Sequence, residues 1–418
     1  MNWKTISMAG VAAIALVGTA AFAGPAAADP TGTQASSAPT NEELEQRIEA
    51  LEAELQSAEM RQASDHQAVV TAAATPSAPP LLGWWGNTTV GGLVFFDFSN
   101  IESKSNGVDN PQDGTHFDIK RFYLTLDHQF DDVWSANLTT DFTYDSSVGA
   151  TQLYIKKAYL QAHVADWATF RAGSADLPWV PFAESIYGYR YVENVLVDRT
   201  KFGTSADWGL HAFGKFGPDT GLKLEYAVSA VNGAGYKKPG IGLGTNRSEG
   251  VDWEGRVDLK YDGFVAAIGG YTGKLGKDLG AGTTFHTAER EDALIGYVGN
   301  GIHAGVEYYH QSNYDTVTNP LSDNGDGYSF FGAYQFMPEW GVFGRYDTTK
   351  PNARLQPDYT NHYYNVGVEW TPVKIVNLSL VYKHEDGSHG TFTDSNGTIG
   401  GSIHGDYSEV GLFGQFKF

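Results

Sequence analysis

The last nine residues read Val410-Gly411-Leu412-Phe413-Gly414-Gln415-Phe416-Lys417-Phe418. In an extended chain Val410, Leu412, Gly414, Phe416 and Phe418 fall on one face and Gly411, Phe413, Gln415 and Lys417 on the other, because strand side chains alternate. A terminal strand of this kind, stopping on an aromatic, is how an outer-membrane β-barrel usually ends. A soluble sandwich strand would seldom stop on an exposed aromatic terminus.

Working back from the terminus, the same period returns. Trp134, Ala136, Leu138, Thr140 and Phe142 alternate with Ser135, Asn137, Thr139 and Asp141, and Leu222, Leu224, Tyr226 and Val228 with Lys223, Glu225 and Ser229. Trp253, Gly255, Val257, Leu259 and Tyr261 alternate with Glu254, Arg256, Asp258 and Lys260. Trp340, Val342, Gly344 and Tyr346 face away from Phe343, Arg345 and Asp347, and Val366, Val368 and Trp370 from Asn365, Gly367 and Glu369. Several of these rows carry an aromatic at an end, where an interface girdle places it. Backbone groups in hydrocarbon need internal partners, so such strands must close on themselves.

Composition agrees with this reading. The chain has 50 Gly, 23 Tyr, 23 Phe, 10 Trp and no Cys, with a mean hydropathy of −0.31. Beyond the N-terminus no apolar run reaches the ~20 residues of a transmembrane helix. Without cysteine there is no disulfide framework, thiolate metal site or cysteine nucleophile. The formal charge of −21 excludes a general nucleic-acid binder. It does not fix pore selectivity, because nine of the acids lie between Asp29 and Gly83 and charges beyond about one Debye length, ~8 Å, are screened.

The N-terminus has Lys4, an apolar run from Ile6 to Ala23, and small-residue cleavage options ending at Ala23 or Ala28, which together read as a secretory signal peptide over residues 1–28. The Gly and Pro that follow, and the lack of a basic flank, weigh against an anchor helix. Residues 29–40 are too poor in apolar side chains to fold and read as a disordered leader. From Asn41 to Gln62, Leu44, Ile48, Leu51, Leu55 and Ala58 are spaced four, three, four and three, a short coiled coil. Thr40 and Glu43 form a capping box at its start. A helix this short is marginal alone, so self-association is expected to stabilise it. Residues 63–83 form a linker rich in Ala, Thr, Ser and Pro.

From Trp84 to Phe418 there are 335 residues, which at roughly 20 per strand and connection give about sixteen strands. Turn signals stand at Asp131-Asp132, Gly217-Pro218-Asp219, Asp262-Gly263, Gly299-Asn300-Gly301, Met337-Pro338-Glu339 and Thr371-Pro372. Long extracellular loops are expected near 100–115, 233–250, 276–290, 312–326, 348–360 and 385–405. One connection differs in kind. Residues 176–203 begin with Pro178 and Pro181 and carry Trp179, Phe182, Glu184, Tyr187, Tyr189, Arg190, Tyr191, Glu193, Asp198, Arg199 and Lys201. So many aromatics are unsuited to a solvated loop and predict one folded into the lumen. Packing against a neighbouring subunit is the other reading.

The signal peptide, the coiled coil with its linker, the basic strand FDIKRFYLTLDHQF (Phe117 to Phe130), the strands around KKAYLQA and FRAG, and the LPWVPF loop from Leu177 together resemble the phosphate-selective porin O/P family and related coiled-coil-bearing, dicarboxylate-type porins. The resemblance implies a trimer of sixteen-stranded barrels in the outer membrane, each constricted by an infolded loop, with the coiled coil in the periplasm. It further implies an anion-attracting pore lining. On strand parity Arg121, Lys157 and Arg171 point inward, near Arg190, Arg199 and Lys201 of the loop, with Glu184, Glu193 and Asp198 as counter-charges. Asp127 and Asp141 sit among those cations, and a structural charge network is the competing account.

No GxSxG, Walker, HExxH or CxxC pattern is present, and neither a metal nor a cofactor is expected. Gly240 to Gly244 lacks a following helix and reads as a loop. Asp323 to Gly327 matches only part of a calcium loop, because Gly325 and Tyr334 stand where ligands belong. Three function classes follow: a passive porin for small hydrophilic solutes, among which the resemblance implies anions such as phosphate or dicarboxylates; an outer-membrane hydrolase; and an envelope tether using the coiled coil. An energy-coupled transporter would need about 22 strands and a plug domain, for which residues 29–83 are too few and too polar.

Overall fold

In the computed structural model the described residues are 86–418, apart from 112, 146–149, 219, 239–247, 280, 281 and 283. The expected signal peptide, leader, coiled coil and linker lie outside them. The strands are β1 (Thr88–Ser105), β2 (Val108–Asp109), β3 (Gly114–Gln129), β4 (Trp134–Asp145), β5 (Ala150–Ala165), β6 (Ala168–Asp176), β7 (Ala206–Phe216), β8 (Lys223–Val231) and β9 (Asp252–Tyr261). They continue as β10 (Phe264–Gly273), β11 (Ala288–Gly299), β12 (Ile302–Ser312), β13 (Asn324–Met337), β14 (Trp340–Lys350), β15 (Thr360–Val373), β16 (Val376–Asp394) and β17 (Gly397–Lys417). Between β6 and β7 lie α1 (Val180–Tyr187) and α2 (Leu196–Arg199).

Each strand pairs antiparallel with its neighbours, and β1 pairs with both β3 and β17, which closes the ring. The two-residue β2 only extends the first hairpin, leaving sixteen wall strands, an all-β transmembrane barrel without an edge. In the terminal strand Val410, Leu412, Phe416 and Phe418 are exposed to the outside while Phe413 is wholly buried within. The same alternation holds around the wall: Trp253, Val257, Leu259 and Tyr261 are exposed, and Glu254 and Asp258 are buried. Gly92 leaves room for the Phe418 ring, which a Cβ at that position would meet. Among the described residues no helix is long and apolar enough to cross a membrane.

Three expectations change. Residues 100–115 are mostly strand rather than loop, since β1 runs to Ser105, β2 is Val108–Asp109 and β3 starts at Gly114. Residues 385–405 are not an open loop: β16 and β17 run on as a paired hairpin through Thr393 and Thr398. This hairpin bends at Ser388–Gly390, where the register shifts and His389 takes a φ of 63°. Its tip turns inward, so that Asp394 reaches Arg199 and the Ser395 hydroxyl donates to Glu193 at 2.9 Å. The turn expected at Thr371-Pro372 falls instead at Lys374-Ile375, since β15 continues to Val373 through a register shift. Proline lacks a ladder donor, so it is tolerated at such a shift.

Candidate functional site: the constriction

The connection from Leu177 to Ser205 folds into the barrel, its neck closed by the Leu177 N–H donating to the Ser205 carbonyl at 3.0 Å. Trp179, Phe182, Val192, Leu196, Val197 and Phe202 are at most 1% exposed. At roughly 1.5–3 kcal/mol for each fully buried large apolar side chain, they hold the loop in place.

The docking wall is specific. Tyr189 stacks on Phe343 with centroids 4.1 Å apart, and Tyr187 meets Phe331 edge-on at 5.5 Å. The Trp179 indole donates to Glu307 at 2.9 Å and its backbone N–H to Glu254 at 2.9 Å. Gly269 and Gly296 leave room for Trp179 and Ile186, which a Cβ would meet at 2.6 and 2.8 Å.

Three wall arginines hold loop carbonyls: Arg256 donates to Pro178 at 2.5 Å, Arg290 to Phe202 at 2.6 Å and Arg345 to Asn194 at 2.5 Å. Each is oriented by the aspartate two residues on, Asp258, Asp292 and Asp347, at 2.8, 2.8 and 2.7 Å. The period of two turns both members of each Arg-x-Asp pair inward. Sequence reasoning overlooked this threefold Arg-x-Asp pattern at residues 256–258, 290–292 and 345–347, although it was readable. The loop therefore lies against β9 to β17.

On the opposite side, β3 to β8 carry a cationic arc. Arg121 lies 3.8 Å from Asp141, and Lys157 lies 2.6 Å from Asp176. Arg171 donates to Gln161 at 2.9 Å, its guanidinium sandwiched by Tyr159 at 4.4 Å and Phe213 at 4.6 Å. Arg190 reaches across from the loop, donating to the Tyr123 hydroxyl at 2.9 Å and pairing with Glu184.

Two further lysines join them that strict alternation would place outside. In the pairing of β1 with β3 the register passes from Arg121 to Ile119, and in that of β4 with β5 from Lys157 to Ile155. The skipped residues, Lys120 and Lys156, are extra residues at β-bulges. Lys120 lies 4.7 Å over the buried Phe413 ring and 3.6 Å from Asp97. Lys156 donates to Tyr123 at 2.9 Å, so this one phenol accepts from cations of both wall and loop.

The remaining candidates lie elsewhere. Arg199 has no exposure and is enclosed by Asp347, Glu385 and Asp394 at 2.9, 2.9 and 2.5 Å, which removes it from any solute path. Glu193 pairs with Lys383 at 3.5 Å. Burial pushes its carboxyl up, but the ammoniums of Lys383 and Lys120 outweigh this and hold it below the usual range. Asp198 is half-buried, and Lys201 is exposed on the loop. In the Glu254 to Lys260 row, charges are met both within the row, Asp258 by Arg256 at 2.8 Å and Lys260 at 3.8 Å, and from neighbouring strands, Glu254 by Arg290 at 3.4 Å and Lys260 by Glu225 at 2.8 Å.

Two other motifs resolve into structural roles. The Asp323 carboxylate accepts from the N–H groups of Asn324, Arg354 and Leu355 at 2.9, 3.0 and 3.2 Å, and Asp326 pairs with His310 at 2.9 Å. Among the described residues no group of acids and histidines is arranged to hold a metal. Ser-His contacts occur at Ser229–His211, 2.8 Å, whose second nitrogen faces the Gly173 carbonyl at 3.3 Å, at Ser408–His384, 2.9 Å, and at Ser388–His404, 3.2 Å, where Asp406 lies 3.9 Å from the second nitrogen, beyond hydrogen-bond reach. A hydrolytic triad needs an acid there.

No family model matches the chain, and no curated protein matches it. Among solved structures it is similar to the anion-selective porin from Comamonas acidovorans, with a TM-score of 0.56 and 12% identity over 79% of this chain and 99% of that one. It is also similar to the outer-membrane expressed OmpT of Vibrio cholerae, with a TM-score of 0.52 and 13% identity over 79% and 97%. A third likeness is to the outer membrane channel DcaP of Acinetobacter baumannii, with a TM-score of 0.51 and 12% identity over 79% and 97%. At these identities the likeness establishes the fold.

Proposed function

We propose that this chain is an outer-membrane porin through which small hydrophilic solutes diffuse, with a preference for anions. The observation that carries the reading is the asymmetry of the lumen. The loop is bonded mainly to β9–β17, with Lys120 and Arg190 also tying it to β3, and the opposite wall bears the partly exposed Arg121 and Lys157 beside the buried Lys156 and Arg171, faced by Arg190. Asp141, Asp176 and Glu184 partly offset these cations, so the preference is modest and not phosphate-specific. The path is aqueous, and the loop sets its width and charge.

The structural likeness to porins supports this reading, and the resemblance to coiled-coil-bearing porins adds assembly as a homotrimer with a periplasmic helix. Arg121→Glu together with Arg171→Glu tests it. The reversal potential across a salt gradient should move toward the cationic side, whereas an unchanged potential would mean that the arc is structural.

A further inference from the structure

At the ends of β7 to β12 that carry the longer connections, a cavity of about 400 Å³ opens beside the base of the constriction loop. That lies within the range of small-molecule sites, ~300–1,000 Å³. Its walls hold Tyr236, Tyr271 and Tyr314, which are 9%, 7% and 5% exposed, together with Leu177 and Leu275. Tyr271 and Tyr314 pack with centroids 5.6 Å apart, giving an aromatic wall rather than isolated rings.

Five cations line the cavity, Lys201, Lys237, Lys238, Lys277 and Arg290, against the carboxylates Asp207, Glu254 and Asp315. Two of those carboxylates are already engaged. Asp207 accepts from the Trp208 and Gly235 N–H groups at 2.6 and 3.1 Å, and Glu254 holds the Trp179 N–H and Arg290. Among the described residues none of the four lysines has a carboxylate within 4.0 Å. Arg290 is 2% exposed, and its Nη2 makes no hydrogen bond beyond the ion pair with Glu254.

We infer that this cavity is a vestibule site for an aromatic carboxylate, which rests on the porin reading and names a solute class for it. A bare inorganic anion gains no apolar contact from the tyrosine rings and loses hydration beside Leu177 and Leu275. A ring-bearing carboxylate uses both halves of the lining: its ring packs on the tyrosines, and its carboxylate meets the ammoniums in a charge-assisted contact. Lys201 is held at a φ of 61°, a backbone state uncommon outside glycine. The site and the cationic arc share the loop, so a solute caught here is already beside the constriction.

The test adds benzoate, and acetate as a ringless control, to the full-length channel in a planar bilayer, with calorimetric titration of the same protein in detergent. Benzoate should bind and interrupt the current at concentrations about tenfold below acetate, the scale of one aromatic contact. Lys238→Gln with Lys277→Gln, both at exposed positions, should weaken benzoate binding at least tenfold while salt conductance persists. Equal binding of benzoate and acetate overturns the site even in a conducting channel. A protein that never conducts overturns the porin reading, and the calorimetry still decides whether the site exists.

Discussion

Lys120 and Lys156 show how much one inserted residue decides. Read by alternation, each belongs on the lipid face, where a lysine at mid-membrane costs about 2–4 kcal/mol. The bulge removes that cost and doubles the cation at its position, producing the adjacent inward pairs Lys120-Arg121 and Lys156-Lys157. Lys156→Gln should therefore lower anion preference measurably, read as a shift in reversal potential, while folding is retained. Arg199 sits at the other extreme. Its replacement by Ala leaves Asp347, Glu385 and Asp394 buried together without a cation and should destabilise the barrel by about 3–5 kcal/mol, seen as a lower urea midpoint in detergent. An unchanged midpoint would mean that these acids are reached by water or protons at little cost.

At the scale of elements, the constriction loop was legible because aromatics and prolines crowd one connection, and the wall strands because of their period of two. What alternation could not show was register. A bulge leaves no mark on the local pattern, and neither the bulges nor the inward bend of the β16–β17 hairpin follows from residues 385–405 being rich in Gly, Ser and Asp. Likewise Arg199 looked like a pore cation because its three partners come from β14 and β16, far away in sequence. The loop's footprint gives a direct test. Gly269→Leu would drive a side chain into Trp179, and the loosened loop should show raised conductance and protease cleavage within residues 177–205. The Glu193 carboxyl is held below its ordinary range, so its contribution is complete above the unfolded value near pH 4.3 and fades as pH falls through the lowered folded value. Acidification should lower the urea midpoint less in Glu193→Gln than in the parent.

For the whole molecule, a chain of net charge −21 still carries a basic arc facing the infolded loop. Wall acids such as Asp258, Asp292 and Asp347 are spent on orienting the arginines that hold the loop. The loop covers that wall, and the opposite face carries Arg121 and Lys157, partly exposed, next to the buried Lys156 and Arg171. On the proposed function, selectivity follows from which side of the barrel the loop lies against. The most direct measurement is the zero-current potential of the purified protein in a planar bilayer across a salt gradient, with chloride, phosphate and a dicarboxylate compared in turn. The arrangement predicts a stable conductance with a potential of anionic sign that changes with the anion. A cationic sign would contradict it by placing control of the pore with the acids.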